Sequence, residues 1–144
     1  MNDARPTTES FDDLAARLAR RIMDLANIDD DVERAAGIRQ VFSADYVLHP
    51  RTDPDVVGVE TYIKRLEGSR MPNMRFAMDD LIAQGDRFAM RYHWTARHGG
   101  GHVGNAALEI NRVANGQVVE TWNYQDMMSL MIQLGVIANP FDPT

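Results

Sequence analysis

The stretch VGNAALEINRVANGQVVETWNYQ, residues 103–125, reads as two strands folded about one turn. Asn115-Gly116 is the turn, because both residues tolerate the positive φ that a tight two-residue hairpin loop demands. A strand over about Val103 to Val113 precedes it, and a strand from Gln117 to Gln125 follows. Working back toward the N-terminus, Phe88, Met90, Tyr92 and Trp94 alternate with Arg87, Ala89, Arg91, His93 and Thr95. That period of two gives a third long strand with one apolar face, broken by the glycine run Gly99 to Gly101. Met74, Phe76 and Met78 alternate with Arg75, Ala77 and Asp79, and Gln84-Gly85-Asp86 forms the turn between these two strands.

The period is helical before residue 72. Ser10 followed by Asp13 makes a capping signal. Phe11, Leu14, Ala15, Leu18, Ile22 and Leu25 then fall on one face, so a first helix runs to about Ala26. Asp29 or Asp30 caps a second helix carrying Val32, Ala35, Ala36, Val41 and Phe42. Tyr46 to Pro50 is a short strand. Gly58 precedes a third helix with Val59, Tyr62, Ile63 and Leu66, closed by Gly68. Met127, Met128, Leu130, Met131 and Leu134 make a last turn or two of helix before Gly135. Helices first and long antiparallel strands afterwards predict an α+β fold, with helices against one face of a meander. Strands of this length twist and curl, and a sheet curled over helices is a cone with an open mouth. Met1 to Glu9 reads as a loose tail, and residues 10–144 as one domain.

Composition narrows the function. There is no cysteine, so disulfides, thiolate metal sites and a cysteine nucleophile are excluded, and a reducing cytoplasm is the expected setting. A formal net charge of −6 argues against nucleic acid or an anionic membrane surface as partner. No apolar run approaches the roughly 20 residues of a membrane span. His49, His93, His98 and His102 have no i, i+4 helical pairing, and no metal site is expected. No serine stands in a nucleophile elbow.

The segments Tyr46-Val47-Leu48-His49-Pro50, Gly58-Val59-Glu60 and Asp79 to Arg87 carry a resemblance. So does the run Glu109 to Trp122, followed by Asp126 and Gln133-Leu134-Gly135-Val136. Over about Phe11 to Ile137 the chain resembles the SnoaL-like polyketide cyclases of the nuclear-transport-factor-2-like superfamily. The resemblance implies a cone-shaped α+β barrel, a homodimer, and cofactor-independent intramolecular aldol closure of a polyketide-like substrate. It implies a general acid/base at Asp126 and pocket histidines at His49 and at His98 or His102. Where that family has a threonine-glycine-threonine-histidine-glycine run, this chain has Thr95-Ala96-Arg97-His98-Gly99-Gly100-Gly101-His102, a shorter connection.

Read for chemistry, an aldol closure needs a base for an acidic carbon-bound proton and a donor for the enolate oxygen. A carboxylate in an apolar pocket suits the first task, since desolvation raises its pKa. Glu120, Trp122, Tyr124 and Asp126 share the parity of one strand face, which predicts an aromatic wall leading to a carboxylate. Asp126 also stands where it would cap the last helix. His49, at a strand end, is placed to polarise a carbonyl. Tyr46, Tyr62, Tyr92 and Trp94 are candidate pocket walls. Arg91 and Arg97 are expected to pair with Glu109 across strands. Ala89, Ala107 and Val119 are candidates for a face between subunits. Two other readings stay open: another cofactor-free isomerase or epoxide-hydrolase chemistry, the latter on Asp80, Arg91 and Asp126, or a non-catalytic binder of a small hydrophobic ligand.

Overall fold

A computed structural model of the chain describes residues 8–142. The tail expected over residues 1–9 falls, for residues 1–7, outside the described residues. Glu9 is described, and it holds Arg17 at 2.9 Å. Helix α1 (Phe11–Ala26) starts where the capping signal put it, with the Ser10 hydroxyl accepting from the Asp13 N–H at 3.1 Å. Asp12 and Asp13 in its first turn complement the helix dipole, and Ala15, Leu18, Ala19 and Leu25 bury its apolar stripe. Helix α2 (Asp31–Val41) is capped by Asp30, whose carboxylate accepts from the Glu33 N–H at 2.7 Å.

The chain passes from α2 directly into β1 (Phe42–Pro50), four residues earlier than the sequence suggests. The two-residue β2 (Val56–Val57) and helix α3 (Val59–Ser69) follow. Then come the long strands β3 (Arg75–Gln84), β4 (Arg87–His98), β5 (Gly101–Ala114) and β6 (Gln117–Gln125), and the short α4 (Met127–Gln133). Strand order is β2-β1-β6-β5-β4-β3, and the sheet curls without closing. All pairings are antiparallel except β1 with β6, which α3 makes possible by carrying the chain across to the far edge. Asn115 at φ 51° and Gly116 at φ 76° form the β5–β6 turn with the positive dihedrals its two-residue loop requires.

Side-chain alternation sets which face holds the core. In β4, Phe88, Met90, Tyr92, Trp94 and Ala96 point inward and are buried under the helices. In β5 the inward set is Val103, Asn105, Ala107, Glu109, Asn111 and Val113. Ala107 is therefore inside, 5% exposed, and belongs to no outer face. In β6 a register shift between Arg112 and Val113 makes Val119 an extra residue, since Arg112 faces Glu120 while Val113 faces Val118. A bulge reverses the alternation beyond it. After it, Thr121, Asn123 and Gln125 face inward, and Glu120, Trp122 and Tyr124 face outward, opposite to the sequence expectation.

Candidate functional site

The curled sheet and the helices enclose a cavity of two lobes. The outer lobe has a volume of about 310 Å³ and the inner lobe about 110 Å³. Tyr62, Phe76, Tyr92 and Glu109 line both, so they mark the junction. Leu48, Met71, Trp94, Met127 and Leu130 give the outer lobe an apolar wall, while Asn123 and Gln125 give it a polar floor. The inner lobe runs among Ile22, Leu25, Ile38 and Phe42, with Arg34 and Arg70 also in its wall.

Glu109 is the carboxyl at that junction. β5 presents it inward, directly opposite Asn123 of β6. Its Oε2 accepts from Asn123 Nδ2 at 2.9 Å and, more weakly, from the Tyr92 hydroxyl at 3.5 Å; its Oε1 accepts from Asn111 Nδ2 at 3.2 Å. Among the described residues no cation pairs with it. Burial raises its pKa above the ordinary glutamate value, and the three donors offset only part of that. A carboxylate of this kind is a stronger base than one in water.

The surroundings supply proton donors. Burial raises the Tyr46, Tyr62 and Tyr92 phenols, so all three stay protonated at neutral pH. Tyr62 is packed between Phe42 and Tyr46, with ring centroids 5.2 and 4.9 Å away. Its hydroxyl makes no hydrogen bond to the protein among the described residues, which leaves an O–H free at the lobe junction. Asn123 also bonds the Tyr92 oxygen at 3.0 Å and accepts from Gln125 Nε2 at 3.2 Å, extending the polar floor toward the mouth. Among the described residues no three His, Asp or Glu side chains gather as a metal site, and no helix is long and apolar enough to cross a membrane.

The SnoaL-like polyketide cyclase family model matches residues 16–134. The chain belongs to this family. Comparison with curated proteins finds no match. Among solved structures, AclR, a candidate hydroxylase from Streptomyces galilaeus, is 25% identical; the alignment covers 87% of this chain and 85% of AclR, with a TM-score of 0.71. A candidate polyketide cyclase from Bacillus cereus is 24% identical over 93% of this chain and 89% of its own, with a TM-score of 0.76. A candidate SnoaL-like polyketide cyclase from Jannaschia sp. is 16% identical, covers 97% and 100%, and also reaches 0.76. The last two share the fold alone.

Against this SnoaL-like frame the expected residues divide. Tyr46, Tyr62, Tyr92 and Trp94 line the outer lobe together. Asp126 is the N-cap of α4, exposed, with Oδ1 accepting from the Ser129 N–H at 3.0 Å; it is not in the cavity lining. His49 is on the outer face, stacked on Trp122 with centroids 5.3 Å apart. Its Nε2 meets Glu120 at 2.7 Å and its Nδ1 meets Asp55 at 2.9 Å. Those contacts, Glu120 first, raise its pKa. The bulge at Val119 turns Trp122 outward, where the Arg87 guanidinium also lies over its ring, 5.0 Å from the centroid. Tyr124 is exposed beneath Arg51 at 5.7 Å. His98 and His102 are exposed at the β4–β5 turn, outside the cavity lining.

Glu109 does not pair with Arg91 or Arg97. Arg91 holds Asp80 at 2.5 Å on the outer face, so Asp80 and Arg91 cannot serve an epoxide in the cavity. Glu109, Asn111, Asn123 and Gln125 were not anticipated as site residues. Their signal was present in β5, where Asn105, Glu109 and Asn111 share one parity and Leu108 and Ile110 the other. A strand with polar residues on its core-facing side is lining something other than dry core.

Proposed function

We propose that the chain is a cofactor-independent enzyme of the polyketide cyclase type, closing a ring by an intramolecular aldol reaction at Glu109. The observation that carries this is one half-buried carboxyl, with no cationic partner among the described residues, at the junction of two cavity lobes. The Glu109 carboxylate removes a proton from a carbon acidified by two flanking carbonyls. The resulting enolate carbon attacks a carbonyl carbon of the same molecule, forming one carbon–carbon bond. The new alkoxide then takes the proton back from the Glu109 carboxyl, so the net change is an isomerisation. The free Tyr62 hydroxyl is suited to donate to the enolate oxygen, and the apolar wall excludes water, which strengthens that bond. Family membership supports a cyclase or isomerase role at the level of the family, and Asp126 is the competing base.

The test starts from 1,3-dicarbonyl aromatic compounds that raise the melting temperature, followed by turnover of the best of them. Glu109→Gln should cut kcat by about 10² to 10⁴, the usual contribution of a positioned base. Tyr62→Phe should cut it by about 10² with little change in affinity. Full turnover by Glu109→Gln would remove the carboxyl from the reaction.

The same reading makes the protein a homodimer through the outer sheet face. Ile82, Leu108, Ile110 and Tyr124 are exposed there, Ile82 by 70%. Ile82, Ala89, Ile110 and Trp122 stand side by side across β3, β4, β5 and β6, forming one apolar row.

A further inference from the structure

Behind Glu109 lie two polar side chains almost closed to solvent, Asn111 at 0% and Thr121 at 2% exposed. The Thr121 hydroxyl donates to Asn111 Oδ1 at 2.6 Å, and Asn111 Nδ2 donates to Glu109 Oε1 at 3.2 Å. The single Thr121 hydroxyl proton goes to the Asn111 amide oxygen, and an amide hydrogen to the carboxylate. The bonds therefore run one way, from Thr121 through Asn111 to Glu109.

That direction fixes the Asn111 amide. Flipped, it would set its Oδ1 against Glu109 Oε1 at about the same 3.2 Å and take from the Thr121 proton the acceptor it has now. Strand pairing supports the arrangement, because Asn111 and Thr121 are direct cross-strand partners and Glu109 is two residues from Asn111 on the same face. We propose that Asn111 is a positioning residue, held in its amide orientation by the Thr121 hydroxyl, which aims the Glu109 carboxylate at the lobe junction. The proposal rests on the reading of Glu109 as the base, but its test does not. Asn111 touches the base rather than the substrate. The other groups facing Glu109 are Tyr92 and Asn123 on β4 and β6, Tyr46 on β1 and Tyr62 on α3, with Arg34 and Arg70 across the inner lobe and Arg51, Asp53 and Arg65 across the outer. None of these bonds the Oε1 that Asn111 holds.

Thr121→Val keeps the shape and deletes the hydroxyl; Thr121→Ser keeps the hydroxyl. The Glu109 side-chain carboxyl is followed by carbon NMR through a pH titration of the whole protein, with no ligand present. With Thr121→Val its midpoint should rise by roughly one pH unit, the scale of a lost or reversed hydrogen bond to a charged group. Thr121→Ser should titrate as the parent does. An unmoved midpoint in folded Thr121→Val overturns the proposal. If Thr121→Val fails to fold, an unmoved midpoint in Thr121→Ala overturns it instead. Where Glu109→Gln keeps full turnover but Thr121→Val shifts the titration, the catalytic reading fails and the positioning chain stands.

Discussion

Replacing Asp126 in turn by asparagine, serine and alanine separates the two tasks open to this one side chain. As an N-cap it contributes one acceptor to the Ser129 N–H, and asparagine and serine supply an equivalent oxygen. Alanine does not, and loss of such a cap costs about 1 kcal/mol. That is roughly a fivefold change in the equilibrium for opening the helix. The cost should stay local, because α4 has no fully buried residue. It is also tied down at its other end, where Gln133 bonds the Gly104 N–H and carbonyl at 2.8 Å each. Amide hydrogen exchange at Leu130 and Leu134, whose N–H groups bond Asp126 and Leu130 carbonyls, reads the fraying directly. It should speed about fivefold in Asp126→Ala and stay unchanged in Asp126→Asn. The melting temperature should fall by no more than about 4 °C in Asp126→Ala. Turnover should survive in Asp126→Asn. A loss of 10²-fold or more, on the order of a missing general base, with α4 exchange unchanged would refute the assignment to Glu109 and move the chemistry to the mouth.

Two further outcomes follow from the outer face. His49 has its pKa raised above 6.5 by Glu120 and then Asp55, so its pairing stabilises fully below that value and is lost as pH rises through the folded value. Because the ring is partly exposed, the effect should be below about 1 kcal/mol. His49→Gln should therefore narrow the difference in urea midpoint between about pH 5.5 and about pH 8.5, and an unchanged difference would show the pair to be silent. Ile110→Glu plants a charge in the middle of the apolar row; sedimentation should find a monomer where the parent sediments as a dimer, with the melting temperature of the dilute protein little changed. An Ile110→Glu dimer would place the contact elsewhere.

Most of the fold was legible because strand and helix periods are strong local signals. Ser10 and Asp13, the alternation from Phe88 to Trp94, and Asn115-Gly116 each fix an element by chemistry confined to a few residues. Much of the site was not legible, for a reason that is also specific. The bulge at Val119 turns on how β6 pairs with β5, and nothing in Gln117 to Gln125 announces it. Counting by twos from the end of that strand groups Trp122 with Tyr124 correctly, but which face is inside is a tertiary fact. Trp122 and Tyr124 were expected to form a wall leading to Asp126; here Asn123 and Gln125 line the cavity from β6, and Trp122 stacks on His49 with the Arg87 guanidinium over its ring.

The placement of the amides also bears on why a carboxyl can persist in this cavity. An isolated carboxylate in an apolar interior would be expected to take up a proton, while one paired with arginine would be a weak base. Glu109 avoids both limits. Asn111 and Asn123 each give one neutral N–H, from β5 and β6, to different oxygens, which leaves desolvation the larger influence. Neutral donors cannot be displaced as counter-ions by salt or by an anionic ligand, so the basicity of Glu109 should depend on the geometry of the two amides more than on ionic strength. Replacing Asn123 with aspartate would put a second carboxylate on Oε2 and drive proton uptake at neutral pH. Replacing it with lysine would pair the charge and weaken the base. On the proposed mechanism, the base strength of Glu109 depends on the Asn123 amide.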